Sequence, residues 1–404
     1  MPRSHAPARV RLGGGYALCV ISLLGAACGS TTCNQPAGGP GEIASAPDAT
    51  PATTAAGGSL LAFVSGKEGK IRVYSVDERS GGLALLQANA TDGLPSFLAV
   101  DPARALLFAV DEDNALIRSF ELDAESGVLT PINTVSAQGD GPAHLSLSTA
   151  GNWLLVANYE GGSVSVIPVA RNGALGNATD TESPGARAHM AITDQSGAYA
   201  FVPCLGADMI AQYAFDSIQG LLEPNAVPSA GLPANSGPRH LVFHPQGAVA
   251  FGINETASTI TSFRFERASG RLTPIATAST LPEGYSGRNT GAEIAVHPTG
   301  RFVYGSNRGR DSIAVFSVDA SSGKLSPLAE VPSGRGDGPH NPRSFALSPD
   351  GHLLYAANQS SGQLVAFRIG ADGKPVPLGV EAQAPGVTYV GLFRFPGHRQ
   401  PAPR

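Results

Sequence analysis

The sequence predicts an all-β fold, a seven-bladed β-propeller made of four-stranded antiparallel blades. Three observations predict it: a repeat of roughly 45–50 residues, strand-type alternation inside each repeat, and one strand left over at the C-terminal end.

The repeat is the first of these. Segments LVFHPQGAVAF (241–251), IAVHPTGRFVY (294–304) and FALSPDGHLLY (345–355) share an apolar strand, a turn containing Gly and a second apolar strand. The second strands are anchored by Phe63, Phe108, Leu155, Phe201, Phe251, Tyr304 and Tyr355, which stand 45 to 53 residues apart. Gly151, Gly197, Gly247, Gly300 and Gly351 each lie four residues before an anchor, where a tight hairpin needs positive φ. Third strands such as IRVYSV (71–76) and IAVFSV (313–318) alternate as half-buried strands do. Turns at Ser126-Gly127, Ser269-Gly270 and Ser322-Gly323 then lead to a weaker outer strand. A period of this length with four strands per unit denotes propeller blades.

The strand count supplies the closure. The first repeat begins directly with a second strand near Leu60, and the chain ends with an unmatched strand, Val387 to Phe393. Six internal first strands and this one make seven. The C-terminal strand is therefore expected to complete the first blade and leave no open edge there.

Composition agrees. The chain has 404 residues, 42% hydrophobic and 15% charged, a balance that suits a packed core of short strands. Its 50 Gly and 32 Pro match a fold with dozens of turns. A net charge of −5 without a long basic run lacks the footprint of a nucleic-acid binder. Arg3, Arg9 and Arg11 precede the apolar or small stretch Tyr16 to Ala27, so residues 1–27 read as a signal peptide, too short for a spanning anchor. LLGAAC (23–28) resembles a bacterial lipoprotein box with its apolar residue one place early, which implies lipid on Cys28 as the one membrane attachment. Residues 28–57 read as a flexible tether, 58–396 as the propeller and 397–404 as a tail. The expected location is the periplasm or the membrane face of a bacterium. Cys19, Cys28, Cys33 and Cys204 show neither metal-ligand spacing nor a disulfide framework. No metal or cofactor is expected, and a monomer is.

Polar residues gather where first strands start and second strands end, which is one face of a propeller. First strands start with His144, His189, Arg239-His240, Glu293 and Arg343. Second strands end with Asn158-Tyr159, Asn254-Glu255, Asn307-Arg308 and Asn358-Gln359. The four Asn are expected to be structural, each accepting and capping a left-handed turn. Arg239 and Glu255 lie across one hairpin, with Arg308 from the next blade and His189 from the preceding one. His244 and His297, in the opposite hairpin turns before Pro, read as structural. No G-x-S-x-G elbow is present.

At these residues the sequence resembles the β-propeller lactonases, the cycloisomerase-type 6-phosphogluconolactonases and their carboxymuconate-cyclising relatives. The matching segments are GPRHLVFHP (237–245), INE (253–255), AEIAVHP (292–298), SNRG (306–309), DSI (311–313), and Pro342-Arg343 with ANQ (357–359). The likeness spans roughly residues 57 to 395 and is most specific in blades five to seven. It implies a catalytic set of His189, Arg239, Glu255 and Arg308. His144, Tyr159, Arg288, Glu293, Arg343 and Gln359 form the expected surrounding pocket. The implied partner is a small lactone. Glu255 or His189 would activate water, and the arginines would hold an oxyanion or an acidic group. A signal peptide fits poorly with a phosphorylated sugar lactone made in the cytoplasm. Two other readings stay open: a carboxymuconate-type cyclisation at the same arginines, and a non-catalytic exported propeller that binds a protein or glycan.

Overall fold

The computed structural model of the protein describes residues 58–396. The expected signal peptide, Cys28, the expected tether and the expected C-terminal tail lie outside the described residues. Seven four-stranded antiparallel sheets are present, each running from an inner strand outward in chain order, with one exception. That exception is blade one, ordered Val387–Pro396, Gly58–Gly66, Lys70–Asp77 and Gly82–Ala90. Its closing pair is in register, with Phe63 opposite Gly391 and Val64 opposite Val390. Val387, Val390, Leu392 and Phe395 are buried there, so the C-terminal strand closes the ring as the strand count predicted.

The second strands carry the core. Leu106–Asp111, Trp153–Asn158 and Leu353–Asn358 are buried at every position, because each is packed between blades on both faces. Burial on two faces explains why these strands read as continuous apolar runs rather than as alternation. The outer strand Gly82–Ala90 is half-buried or exposed throughout, which explains its weak sequence signal.

Adjacent blades are stitched at the second strands. Tyr304 Oη donates to Gly373 O at 2.8 Å, Tyr355 Oη to Gly81 O at 2.6 Å, and Trp153 Nε1 to Ser217 O at 2.8 Å. Each acceptor lies in the third-to-outer hairpin of the following blade. Gly270 in such a hairpin has φ +66°, and a Cβ there would sit 2.1 Å from the Tyr199 ring. This turn therefore needs glycine for its backbone and for its neighbour. His244 Nε2 lies 3.0 Å from Gly300 O, and His297 Nε2 lies 3.2 Å from Gly351 O. Both link one inner hairpin to the next, a structural role.

The four asparagines are structural by a different route from the one expected. Asn158, Asn254, Asn307 and Asn358 are fully buried in extended strands, and none has positive φ. Their amides instead tie the blade tip to its surroundings, as when Asn307 Nδ2 donates to Thr280 O and Asn358 Nδ2 to Ser333 O. The left-handed residue comes four positions later, at Gly162, Ser258, Asp311 and Gly362. Strand continuity overrides the local turn preference of Asn, because its buried amide can satisfy the incoming chain.

Candidate active site

The inner strands do not begin as regular strands. The register shifts between Pro142 and His144, Pro238 and His240, Gly291 and Ile294, and Pro342 and Ser344. A bulge re-aims side chains and frees backbone groups. Here the shifted residues include Arg239, Glu293 and Arg343. Blade four goes further: its inner strand is only Ile192–Thr193, and His189 precedes it, held by its N–H to Pro203 O at 2.9 Å.

Two αL carboxylates fix the loops that deliver the arginines. Asp208, with φ +50°, accepts from the N–H groups of Asn235 and Gly237 at 2.8 Å each, just before Arg239. Asp311, with φ +57°, accepts likewise from His340 and Asn341 at 2.8 Å each, just before Arg343.

Three of the four expected catalytic residues form one ionic cluster. Glu255 Oε2 lies 3.1 Å from Arg239 Nε and 2.7 Å from Arg308 Nη2. Each guanidinium is also pinned by a carbonyl freed at the blade-six bulge. Arg239 Nη1 donates to Ala292 O at 2.6 Å, and Arg308 Nη2 to Gly291 O at 3.1 Å. Burial, together with Arg308 and Arg343, pulls the Arg239 guanidinium well below the usual arginine range. Burial lowers Arg308 as well, against the opposing pull of Glu255. Two guanidiniums thus share one carboxylate, with the Arg343 charge acting on both, an arrangement suited to receiving negative charge.

His189 is the fourth member and is buried. Burial, then Arg239 and His240, hold its imidazole well below the usual histidine range, so it is neutral at pH 7. Its ring packs edge-on against Tyr159 at 5.4 Å, and the guanidinium of the exposed Arg187 lies 5.8 Å from the centroid of the same Tyr159 ring. Arg187 carries φ +57° and no sequence signal marked it.

One residue deeper, the inner strands form a second layer across the channel. Blades one to three contribute Tyr389, Phe97 and His144, with Phe97 4.7 Å from Tyr389 and 4.4 Å from His144. Blades five to seven contribute His240, Glu293 and Ser344. His240 Nδ1 lies 2.8 Å from Glu293 Oε1, and Ser344 Oγ donates to Glu293 Oε2 at 3.5 Å. His240 stands among the polar strand starts in the sequence but was given no role in the expected site. The bulge at Pro238–His240 lets it and Arg239 both point inward.

The remaining expected residues divide. Arg343 flanks the cluster, and Gln359 sits at its rim, where its amide oxygen accepts from Asn341 Nδ2 at 3.3 Å. A cavity of about 410 Å³ opens beside Arg308, lined by Thr290, Asp311, Asn341 and Ser360. Arg288 is exposed in the preceding loop; its backbone carbonyl, rather than its charge, meets the blade at Gly309. It is not part of the cluster. The channel's other end holds an apolar cavity of about 570 Å³ lined by Met190, Ile192, Leu241 and Val296. Its one carboxylate, Asp194, is engaged by the N–H groups of Ser196, Ala198 and Tyr199. The ionisable chemistry lies at one mouth.

The family model described as "Lactonase, 7-bladed beta-propeller" matches residues 56–392. The 6-phosphogluconolactonase of Bacillus subtilis is 30% identical over 314 residues, covering 75% of this chain and 87% of that protein. That of Sodalis glossinidius is 30% identical over 335 residues, covering 82% and 98%. Among solved structures, the periplasmic gluconolactonase of Pseudomonas aeruginosa superposes with a TM-score of 0.75 at 28% identity, covering 83% of this chain and 99% of that one. With that match across nearly all of the described propeller, the chain belongs to the seven-bladed β-propeller lactonase family.

Proposed function

We propose that this protein hydrolyses a sugar lactone outside the cytoplasm, at the channel mouth that carries Arg239, Glu255 and Arg308. The observation that carries this reading is the shared carboxylate: Glu255 holds two buried guanidiniums from neighbouring blades beside a neutral histidine. A lactone carbonyl needs water deprotonated and its oxyanion stabilised. His189 takes a proton from water, and the resulting hydroxide adds to the carbonyl carbon. Arg239 and Arg308 receive the negative charge on the former carbonyl oxygen. The ring C–O bond then breaks, and the departing oxygen takes the proton from His189, giving the open hydroxy acid. Glu255 keeps the two arginines aimed, because its carboxylate is the shared counter-charge of both.

The substrate assignment rests on two further points. The N-terminal residues read as an export signal, and one similar solved protein is named a periplasmic gluconolactonase. Both favour an unphosphorylated sugar lactone over the phosphorylated one in the names of the Bacillus and Sodalis relatives. The non-catalytic alternative finds less support, because the exposed large apolar residues are scattered. Leu85, Val128, Ile218, Val227 and Val376 sit on hairpins and outer strands of four blades rather than around the mouth.

The test is a screen of the purified protein against glucono-1,5-lactone, its 6-phosphate and related sugar lactones, following acid release. Turnover of the unphosphorylated lactone at higher kcat/KM than the phosphorylated one is expected. The reverse preference would overturn the substrate assignment, and no turnover of any lactone would overturn the activity.

A further inference from the structure

Beneath His189 lies a pair that the reaction above does not use. In the channel, the buried His240 and the half-buried Glu293 lie 2.8 Å apart, and neither touches the Glu255 cluster through this contact. Burial raises the Glu293 carboxyl, but His240 and Arg239 outweigh it and the net shift is downward, so Glu293 is a carboxylate. Burial keeps His240 below the usual histidine range, against the upward pull of Glu293. A neutral imidazole facing a carboxylate must carry its proton on the facing nitrogen, since an ionised carboxylate only accepts. His240 is therefore the Nδ1–H tautomer, and its Nε2 is a bare acceptor. Glu293 is held for this task by three donors: His240 Nδ1–H, Ile294 N–H at 3.1 Å and Ser344 Oγ–H.

His240 Nε2 is buried and has no partner among the described residues. The same is true of His189 Nδ1. The two rings pack edge to face with centroids 5.1 Å apart. One atom is an acceptor, and the other can be a donor.

We infer that His240 and Glu293 are positioning residues for His189: one water molecule bridges the two orphan nitrogens, accepting from His189 Nδ1–H and donating to His240 Nε2. This chain of Glu293, His240 and His189 leaves the His189 Nε2 lone pair facing the mouth as the base. It rests on the reading of His189 as the group that activates water. When His189 Nε2 takes the proton from water, the imidazolium charge is stabilised through His240 by Glu293, and the proton later goes to the departing ring oxygen. His240 and Glu293 neither gain nor lose a proton overall. Without the chain, His189 could adopt the opposite tautomer, with its proton on Nε2 and no lone pair toward substrate. The other titratable and charged groups around the pair are His144 from blade three, whose ring faces His240, Tyr389 from blade one, which acts on Glu293, and Arg239 and Arg343 from the mouth above. The two cations oppose protonation of both histidines, and Glu293 is the one carboxylate that pulls the other way on His240.

Two measurements on the full-length protein test this. The first needs no turnover: long-range ¹H–¹⁵N correlation of the imidazoles in the wild type near pH 7.5. Nδ1–H tautomers at both His189 and His240 are expected; an Nε2–H tautomer at His189 overturns the proposal even if the enzyme is fully active. The second is the pH profile of lactone hydrolysis in H240Q and E293Q. A fall in kcat of about 10- to 100-fold, with KM within about twofold, is expected. The acid limb should move to lower pH, because His189 becomes the weaker base. A thermal midpoint matching wild type together with unchanged kcat and an unmoved acid limb overturns the proposal. If E293Q fails to fold, H240F, which keeps a ring in the aromatic layer, decides on the same criteria. If the wild type turns over no lactone, the proposed activity fails, and the tautomers still decide the arrangement.

Discussion

Replacing Glu255 with Gln probes the cluster at its shared atom. Glu255 Oε2 forms ion pairs with both guanidiniums, and the Arg239 and Arg308 side chains are only 4% and 13% exposed. Removing one member of a buried ion pair costs about 3–5 kcal/mol, because the partner charge is left unmatched. Glu255 itself is 21% exposed and Gln keeps one acceptor oxygen, so the loss falls near or below the low end, about 2–3 kcal/mol. For a domain of this size that corresponds to a midpoint lowered by roughly 5 °C, with the fold retained. The kinetic effect is larger than the structural one. Arginines without their shared counter-charge lose their aim on the oxyanion, and a misplaced oxyanion donor costs about 10²–10³ in kcat. The assay is acid release from the accepted lactone, alongside far-UV circular dichroism and a melting curve. Hydrolysis by E255Q within twofold of wild type, on every lactone the wild type accepts, would refute the reasoning. R308Q and the double variant extend the test. If the two residues act as one unit, the double variant should lose clearly less than the sum of the single losses.

Other outcomes follow from the same contacts. Burial lowers His144, His189 and His240 below the usual value of 6.5, so the unfolded chain binds more protons than the folded one below that value. Their contribution is therefore complete above about pH 6.5 and is lost as pH falls through the folded values, with a slope of up to about 1.4 kcal/mol per pH unit for each. Urea denaturation should show stability flat between pH 7 and 8 and clearly lower at pH 5.5; equal stability at pH 5.5 and 7.5 would mean the histidines are not held neutral. Gly270→Ala should cost more than Gly284→Ala. Both residues have positive φ, but only Gly270 has a ring 2.1 Å from the new methyl group, whereas Gly284 has nothing within 4 Å. The strain common to both is about 1 kcal/mol, and the collision at Tyr199 should add about 1–3 kcal/mol. Matching urea midpoints for the two variants would count against the blade stitching. Arg308→Lys should lower kcat/KM about 10- to 100-fold, since an ammonium cannot reach Glu255 and Gly291 O while also facing the substrate in a fixed plane.

What the sequence made legible, and what it hid, both trace to how strands report their surroundings. The fold was readable because each second strand is buried on both faces, so Phe63, Phe251 and Tyr304 stand out as anchors at a regular period, and the surplus strand Val387 to Phe393 could belong only to blade one. The pair Arg239–Glu255 was readable because a hairpin fixes which residues face each other near its open end. Arg288 is exposed in a loop, where spacing along the chain says nothing about side-chain direction. His240 was visible beside Arg239, but the bulge at Pro238–His240, which lets neighbouring residues both reach the channel, was not, so no role was given to it. The same irregularity at Gly291–Ile294 frees Gly291 O and Ala292 O to hold Arg308 and Arg239. The irregular strand starts are thus what build the site. A propeller with seven regular inner strands would have the same core and ring closure. It would turn Arg239 and His240 to opposite faces, and neither guanidinium would have a carbonyl to hold it beside Glu255.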